Sequence, residues 1–304
     1  MEIRPKQSAR RLPEWLKRRI PAKGEATAVN ALLDQLGLST VCRGARCPNQ
    51  GECFARGTAT FLILGEVCTR NCRFCAIPTS DPLPPRAAER DAVAQAAAEM
   101  KLNYVVVTSV TRDDLPDGGA THFAETIRAI RTRLPAAKIE VLTPDFCGDE
   151  SAIATVLDAQ PDVFNHNIET IARLYPAVRP QAGYQQSLDV IAFAKSYAHE
   201  HDLATLTKSG LMVGVGETDA EVLATMGDLR AHECDILTVG QYLAPSGGHV
   251  AVERFVEPTI FDDWQTDALA MGFRAAACGP FVRSSYHADD AFETADAKHD
   301  AAHA

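Results

Sequence analysis

The chain has 304 residues, of which 46% are hydrophobic, and a formal net charge of −10 at pH 7. A chain of this length and composition can bury a large core, as one α/β domain or as two smaller ones. The acidic balance argues against a general nucleic-acid binder, which needs a basic face. No run approaches the roughly 18–20 apolar residues of a transmembrane helix, so we expect no contact with a membrane.

The N-terminal 24 residues form a basic arm. They carry eight Lys or Arg residues against two Glu residues, so the arm has a local charge of +6 and the remainder sums to −16. Pro5, Pro13 and Glu14 interrupt any amphipathic pattern, which argues against a transit peptide. We expect an irregular arm with a short helical piece near 13–19. It is either a solvated tail or a docking strip for an acidic partner or for the protein's own acidic surface.

Helical and strand patterns alternate along the rest of the chain. Apolar residues at helical spacing predict a helix at 27–36, and the following segment, rich in Gly, Asn and Pro, predicts a loop. Strands are predicted at 60–64, 104–108, 138–142, 162–165, 203–207 and 235–239, with further apolar pieces at 211–215 and 273–277. Helices are predicted at 86–100, 121–133, 149–158, 185–200, 218–231 and 259–271. Residues 289–304 have few large apolar side chains and are expected to be mostly disordered.

This alternation predicts the fold class. Strands that alternate with helices imply right-handed βαβ units and a parallel sheet. About six such units favour an α/β fold of the TIM-like, partial (β/α)6 barrel type over an open sheet of four or five strands. In such barrels the active site forms from loops at the C-terminal ends of the strands.

Six of the nine cysteines fall between residues 42 and 75. Disulfide frameworks belong to short secreted domains, whereas this chain is long and shows no signal-peptide pattern. Structural zinc favours paired C-x2-C units that supply four ligands, and neither group of cysteines has that form. Thiolates in short loop spacings favour iron–sulfur cubanes. The first triplet has the spacing C-x4-C-x5-C and the second C-x3-C-x2-C; they are Cys42, Cys47 and Cys53, and Cys68, Cys72 and Cys75.

The second triplet leaves one iron of a cubane without a protein ligand. An open coordination position is the general device by which a metal site admits substrate. The triplet follows the first strand of the predicted barrel, and Phe74 precedes its last cysteine. In these features the chain resembles the radical S-adenosylmethionine superfamily. The resemblance implies that the fourth iron binds the amino and carboxylate groups of S-adenosylmethionine, whose reductive cleavage yields a 5′-deoxyadenosyl radical.

The first triplet also offers three ligands for a four-iron cube. A non-thiolate fourth ligand would be weak and displaceable, and Ser284 and Ser285 are candidates near the C-terminus. This combination resembles the lipoyl synthases within the superfamily. The matching motifs are PEWLK (13–17), CPNQGEC (47–53), GEVCTRNCRFC (65–75), TSVTRDDLPDGG (108–119), NHNIET (165–170), KSGLMVGVGET (208–218), GQYLAPS (240–246) and GPFVRSSYHA (279–288). The resemblance implies that a serine of the RSSY motif binds the auxiliary cluster, and we favour Ser285 over Ser284.

The same resemblance implies the reaction and its cofactors, two [4Fe–4S] clusters and S-adenosylmethionine. An octanoyl group, amide-linked to a lysine of a lipoyl carrier domain, receives sulfur at C6 and C8. Each insertion consumes one S-adenosylmethionine, and the auxiliary cluster is the sulfur donor. The implied division is an N-terminal extension with the auxiliary cysteines at 1–56, the barrel at 57–278, and an RSSY segment with a tail at 279–304 that closes the barrel mouth.

The resemblance also implies partners. These are octanoylated carrier domains, namely 2-oxoacid dehydrogenase acyltransferase subunits and the glycine cleavage H protein. An electron donor such as flavodoxin or ferredoxin and an iron–sulfur carrier that rebuilds the auxiliary cluster complete the set. Thiols held for metal binding fit a reducing cytoplasm, which is the expected location.

Several predicted strands are followed by residues suited to S-adenosylmethionine. Asp113, Gly118 and Gly119 follow the second strand, where backbone meets the methionine amino group in the superfamily and glycine permits close approach. A plain Asp-Gly turn is the alternative. Glu217 lies beside a Gly-rich turn near the expected adenosine position. Gln241 ends the sixth strand, where the adenine or the acyl chain is expected.

A second polar group ends the fourth predicted strand. Asn165, Asn167 and Glu169 have short polar side chains that suit ribose hydroxyls or the methionine carboxylate. Arg179 either pairs with that carboxylate in fork geometry or forms a local salt bridge.

Two other functions remain open on this evidence. One is a different radical enzyme, of the biotin synthase kind, which lacks an N-terminal C-x4-C-x5-C triplet. The other is a non-catalytic iron–sulfur carrier or electron-transfer module, which needs neither a barrel nor polar residues at the strand ends. No role is assigned to Cys147, Cys234 and Cys278, because isolated cysteines are usually small buried hydrophobes.

Overall fold

A computed structural model describes residues 11–17, 27–56 and 58–303 of the chain, without the side chains of 298–303. Most of the basic arm lies outside the described residues. Within it, a single 3₁₀ turn, Glu14–Leu16, covers part of the predicted helical piece, and Leu16 is buried. Across the described residues, no helix combines the length and the apolar character needed to cross a membrane.

One eight-stranded sheet forms the centre of the fold, and its strands follow one another in chain order. β1 pairs antiparallel with β2, and all later neighbours are parallel, with registers such as Phe61 beside Val107. The last strand pairs only with its predecessor among the described strands, so the sheet is an open barrel. The strands are β1 (Ser39–Thr40), β2 (Thr60–Ile63), β3 (Tyr104–Ser109), β4 (Lys138–Leu142), β5 (Val163–Asn165), β6 (Leu206–Val213), β7 (Ile236–Gln241) and β8 (Ala275–Gly279).

Helices connect and cover the parallel strands. Each of the six steps from β2 to β8 contains a helix of eight residues or more, which confirms the predicted (β/α)6 barrel type. The strands are apolar on both faces because one face packs on these helices and the other lines the barrel. The helices are α1 (Thr27–Leu36), α2 (Val41–Gly44), α3 (Gln50–Ala55), α4 (Glu89–Glu99), α5 (Ala120–Arg133), α6 (Glu150–Leu157), α7 (Tyr175–Val178), α8 (Tyr184–Glu200), α9 (Asp219–Ala231), α10 (Pro258–Ala270) and α11 (Ala288–His303).

The N-terminal extension shares its core with the barrel. Val29 and Leu33 of α1 and Phe54 of α3 are buried in the same apolar cluster as Phe61 of β2 and Val93 of α4. The extension is therefore packed against β2 and α4, and the cysteines that it carries are held next to the barrel.

Three local predictions were wrong. The segment of the first triplet is not a continuous loop, because Cys42 lies in α2 and Cys53 in α3. The pieces predicted at 203–207 and 211–215 overlap the two ends of one strand, β6, whose buried polar residues Lys208 and Ser209 obscured its continuity. The predicted disordered tail is a helix, α11.

Helix α11 is stabilised by a narrow apolar stripe that the composition of the tail concealed. Phe292 and Ala295 are buried against Val163, Leu206 and Ile236, which start three neighbouring strands. Positions three and four residues apart share one helix face, so a few side chains suffice to dock the helix. The helix thus covers the end of the barrel opposite the C-terminal ends of the strands.

Candidate functional site

A cavity of about 540 Å³ lies at the C-terminal ends of the strands. Its wall contains residues at or just after the ends of β3, β4, β5, β6 and β7, together with parts of the N-terminal extension and of the C-terminal segment. All six cysteines of the two triplets and both serines of the RSSY motif line it. The structure therefore brings together residues from position 42 to position 285 in one cavity.

The second triplet occupies a loop that leaves β2 and folds back on itself. The Cys68 N–H donates to the Pro78 carbonyl (2.9 Å), and the Cys75 N–H donates to the Cys72 carbonyl (3.0 Å). Leu64 and Gly65 both have positive φ, which turns the chain sharply out of the strand. The loop places three thiols on the cavity wall at the end of the first parallel strand, as predicted from the strand pattern.

The side chain of Arg70 joins this loop to two aspartates of neighbouring loops. Its guanidinium donates to both carboxylate oxygens of Asp113 (2.7 and 2.8 Å) and to Asp145 (2.7 Å). Burial raises the pKa of both carboxyls, but the hydrogen bonds and charge of Arg70 outweigh it, so both pKa values lie below their usual range. Asp113, predicted beside the methionine amino group, is thus engaged with Arg70 and does not line the cavity.

The first triplet is held by two short helices. The Thr40 hydroxyl caps α2 by accepting from the Arg43 N–H (3.3 Å), and the Cys47 N–H donates to the Cys42 carbonyl (3.1 Å). The Cys53 N–H donates to the carbonyl of Asn49 (2.9 Å) at the start of α3. The capped first helix and the second helix together fix Cys42 and Cys53 on either side of Cys47.

The first triplet is also joined to the C-terminal segment. The side-chain amide of Asn49, which is 1% exposed, donates to the Phe281 carbonyl (2.7 Å). The Tyr286 hydroxyl donates to Glu52 (2.9 Å). Both contacts span more than 230 residues of sequence.

Burial makes four of the six cysteine thiols weaker acids. It raises the pKa of Cys53 and of Cys75 to about 12, and it raises those of Cys42 and Cys72 as well. Metal binding therefore has to displace protons from these thiols. Thiolate is the ligand that iron–sulfur clusters prefer, so the donor set of each triplet fits a cubane.

The geometry of the triplets differs from that of a single-ion site. In the part of the chain that the structure describes, no three His, Cys, Asp or Glu side chains converge on a position that suits one metal ion. Each thiolate of a cubane binds a different iron, so a cubane needs thiols that surround a larger volume.

The two serines of the RSSY motif differ in their contacts. Ser284 is hydrogen bonded to Asn167 (2.7 Å). Ser285 makes no hydrogen bond through its hydroxyl to any described residue. It lines the main cavity and also a crevice of about 70 Å³ that it shares with Cys42 and Cys53. Ser285 is thus the serine that faces the first triplet with an unengaged hydroxyl.

Polar residues after β5 lie beside the second triplet. Burial raises the pKa of Cys72, and the Arg179 guanidinium offsets this only in part. Arg179 also donates to the Asn167 carbonyl (3.0 Å). Burial raises the pKa of Glu169, and Arg179, Asn167 and Arg283 offset this only in part. Glu169 also has positive φ, an uncommon conformation that holds its side chain toward the cavity.

Arg179 keeps one donor unused. It is 8% exposed, and its Nε has no hydrogen-bond partner among the described residues. A buried donor without a partner is costly, which is typical of a position that a ligand completes. Arg179 therefore fits the anionic group of a ligand such as a carboxylate.

Gln241 and Glu217 make structural contacts. The Gln241 amide lines the cavity, yet it donates to the Val213 and Arg254 carbonyls (3.1 and 3.0 Å) and accepts from the Val256 N–H (2.8 Å). Glu217 lies off the cavity wall and accepts from the Gly214 and Val215 N–H groups.

Asn165 and the two glycines also lie off the cavity wall. Asn165 is fully buried and donates to Glu140 (3.0 Å). Gly118 and Gly119 form the turn before α5, where a side chain on Gly119 would meet Leu64 at 2.3 Å. The roles predicted for these residues toward S-adenosylmethionine remain predictions.

Two contacts that shape the site were not predicted from the sequence. Arg70 was not singled out, although a charged residue inside C-x3-C signals a partner nearby. His249 was not singled out either, yet its Nε2 lies 3.0 Å from the Cys75 carbonyl, and the Val250 N–H donates to the Arg73 carbonyl (2.9 Å). The loop after β7 therefore covers the loop of the second triplet.

Comparison with known proteins identifies the family. Residues 62–229 match the model of the radical SAM superfamily, and residues 2–47 match the model of the N-terminal domain of lipoyl synthase of the radical SAM family. The chain is 54% identical to a lipoyl synthase of Oleidesulfovibrio alaskensis, over 91% of this chain and 94% of the relative. It is 53% identical to a lipoyl synthase of Caldanaerobacter subterraneus subsp. tengcongensis, over 92% and 96%.

Solved structures share the fold at low sequence identity. HydG, a maturase of the [FeFe]-hydrogenase, superposes with a TM-score of 0.56 at 12% identity, over 83% of this chain and 62% of that chain. Methylornithine synthase superposes with a TM-score of 0.51 at 16% identity, over 76% and 71%. The sequence relatives and the family models agree: the chain belongs to the lipoyl synthase family of the radical SAM superfamily.

Proposed function

We propose that this protein inserts sulfur at C6 and C8 of an octanoyl group that is amide-linked to a lysine of a lipoyl carrier domain. The observation that carries the proposal is the single cavity lined by both cysteine triplets and by Ser285. A reaction that joins radical formation to sulfur transfer needs both centres within reach of one substrate, and this cavity provides that arrangement.

The two triplets divide the cofactors between them. Cys68, Cys72 and Cys75 hold one [4Fe–4S] cluster and leave its fourth iron for S-adenosylmethionine. The first triplet and Ser285 hold the auxiliary cluster. When bound, these groups supply a 5′-deoxyadenosyl radical for hydrogen abstraction and sulfide for the new carbon–sulfur bonds.

Residues after β5 position S-adenosylmethionine. Arg179 offers its unused buried Nε–H to the methionine carboxylate, and Asn167 and Glu169 offer polar atoms on the same wall. Asp113, Gly118, Gly119, Asn165 and Glu217 support this wall by shaping the loops and strand ends behind it. Gln241 lines the cavity and holds the end of β6 through the Val213 carbonyl.

An apolar part of the cavity wall suits the acyl chain. Burying an octanoyl chain against apolar side chains removes it from water and keeps water from the radical. The residues that form this surface are Val41, Leu62, Ile77, Leu142, Leu211 and Met212.

The partners follow from this chemistry. Octanoylated carrier domains, from 2-oxoacid dehydrogenase acyltransferase subunits or the glycine cleavage H protein, supply the substrate. A flavodoxin or ferredoxin supplies electrons, and an iron–sulfur carrier rebuilds the auxiliary cluster. The cytoplasm, where thiols remain reduced, is the proposed location.

The test is a direct reaction with an octanoyl-lysine peptide, dithionite and S-adenosylmethionine, followed by mass analysis. We expect a product with two added sulfur atoms and about two 5′-deoxyadenosine per product, because each insertion consumes one cofactor. A peptide that acquires no sulfur despite formation of 5′-deoxyadenosine would contradict the proposal.

Iron content separates the proposal from a radical enzyme with one cluster. Reconstituted protein should contain about eight iron and eight sulfide per chain, the content of two cubanes. About four of each would favour a radical enzyme with a single cubane.

A further inference from the structure

The C-terminal segment, residues 279–287, crosses the barrel mouth between the two triplets. It lies directly on β6 and β7, because both strands have glycine where it passes. A methyl group on Gly240 would lie 2.1 Å from the Val282 carbonyl oxygen. A methyl group on Gly210 would lie 2.9 Å from the Ser284 hydroxyl and 2.6 Å from the Asn167 side-chain oxygen. Close approach of the segment to the barrel is thus specified by the sequence.

Ser284 links this segment to the wall beside the second triplet. Asn167 Nδ2 donates to Ser284 Oγ (2.7 Å), and Ser284 Oγ lies 3.0 Å from Asn167 Oδ1, to which it donates in turn. Asn167 is 8% exposed, and its Nδ2 also donates to Glu169 (3.0 Å). The link therefore connects a buried polar group at the end of β5 with a residue 117 positions later in sequence.

The neighbouring residues extend this link in both directions. Arg283 lines the same cavity as Glu169 and Arg179. Ser285 faces Cys42 and Cys53 in the adjoining crevice. Arg283, Ser284 and Ser285 thus extend from the side of the cavity that contains the second triplet to the side that contains the first.

We propose that Ser284 is a positioning residue: through its hydrogen bond to Asn167 it holds Ser285, and with it the auxiliary cluster, at a fixed separation from the S-adenosylmethionine side of the cavity. The inference rests on the proposed function and assigns to Ser284 a role other than that of a cluster ligand. Radical transfer and sulfur insertion at adjacent carbons depend on position, and a misplacement of about 1 Å costs on the order of 10²-fold in rate.

The test compares Ser284→Ala with Ser196→Ala, which removes an exposed hydroxyl on α8 far from the cavity. In Ser284→Ala, we expect 5′-deoxyadenosine formation and the KM for S-adenosylmethionine to stay within about threefold, since Asn167 keeps its other contacts. Sulfur inserted per 5′-deoxyadenosine should fall about fivefold or more, the effect expected for the loss of one buried hydrogen bond. Ser196→Ala should match the unsubstituted protein.

Hydrogen exchange provides a measurement that does not depend on turnover. Before substrate is added, amides of residues 282–286 in Ser284→Ala should exchange about fivefold faster than in the unsubstituted protein. Gly210→Ala should loosen the same segment, because its methyl group displaces both Asn167 and Ser284.

Unchanged protection of 282–286, or an unchanged ratio of sulfur to 5′-deoxyadenosine in Ser284→Ala, would overturn the inference and leave the proposed function intact. Failure of the unsubstituted protein to insert sulfur would instead overturn the proposed function. The exchange measurement would still report whether Ser284 holds the segment.

Discussion

Arg70 and Asp145 form a buried ion pair, with 2.7 Å between the guanidinium and the carboxylate, that joins the loop of the second triplet to the turn after β4. The Arg70 side chain is 6% exposed and that of Asp145 is fully buried. Because Arg70 also binds Asp113 after β3, one guanidinium fixes the mutual positions of three loops at the barrel mouth. The backbone N–H of Arg70 points at the Cys68 sulfur (3.4 Å), so the clamp acts on a proposed cluster ligand directly.

Asp145→Asn should weaken this clamp without removing a cysteine. Loss of one hydrogen bond to a charged group costs about 1.5–3 kcal/mol, and Arg70 keeps its second carboxylate. We therefore expect a roughly tenfold slower cleavage of S-adenosylmethionine, measured as 5′-deoxyadenosine, with iron content retained. The matched control is Asp81→Asn, which changes an exposed carboxylate a few residues after the same loop. Equal losses in both variants would refute a specific role for the clamp.

Substitutions in the two triplets should affect different steps of the reaction. Cys68→Ala removes a proposed ligand of the cluster that activates S-adenosylmethionine, so cleavage of the cofactor should fall below detection. Cys47→Ala leaves that cluster intact, so 5′-deoxyadenosine should still form while no sulfur enters the peptide. Both products are measured by liquid chromatography and mass spectrometry. A sulfur-bearing product from Cys47→Ala would argue against the auxiliary cluster as donor.

Glu89 should make the fold sensitive to acid. Its buried carboxylate accepts from the Leu64 N–H (2.7 Å) and contacts His122 (3.1 Å). Burial alone raises the pKa of Glu89, but these hydrogen bonds lower it more, so the folded pKa lies below the unfolded value of about 4.3. The stabilisation is therefore complete well above pH 4.3 and is lost as pH falls through the folded pKa.

Glu89→Gln should lower the free energy of unfolding at pH 7 by about 1 kcal/mol, measured as a lower thermal midpoint. The difference from the unsubstituted protein should shrink as pH drops below about 4.3. Glu99→Gln, at the exposed end of the same helix, should show no such pH dependence. A gap that stays constant from pH 7 to pH 3 would disprove the assignment.

Lys208 and Glu140 form a buried pair inside the barrel, below the cavity. Lys208 Nζ lies 2.9 Å from both carboxylate oxygens, and Tyr104 also donates to Glu140 (2.8 Å). Lys208→Met leaves an uncompensated buried carboxylate, which costs about 3–5 kcal/mol. The double variant with Glu140→Gln removes that charge and should recover part of the loss. Thermal unfolding of the single and double variants checks this; a double variant less stable than Lys208→Met would count against it.

Local patterns were sufficient to predict the barrel and part of the cavity wall. The apolar strands, the helices between them and the two cysteine spacings are each contained within about 35 residues of sequence. The end of a parallel strand also predicts which face of the barrel the next residues occupy, so Asn167, Glu169 and Arg179 were expected near the second triplet.

The contacts that hold the site were not predictable in this way. Asp113 and Asp145 lie 43 and 75 positions after Arg70, and no local pattern connects them. The difference between Ser284 and Ser285 likewise depends on Asn167, which is distant in sequence. Helix α11 was missed for the opposite reason: its docking stripe is local but consists of so few side chains that the polar composition masks it.

The link between Asn49 and Phe281 has a consequence for biosynthesis of the protein. During translation, the cysteines of the first triplet leave the ribosome more than 200 residues before Ser285, the serine proposed to complete their ligand set. The full ligand set proposed for the auxiliary cluster therefore exists only after synthesis has passed residue 285, and until then the three thiols need a reducing environment to stay unoxidised.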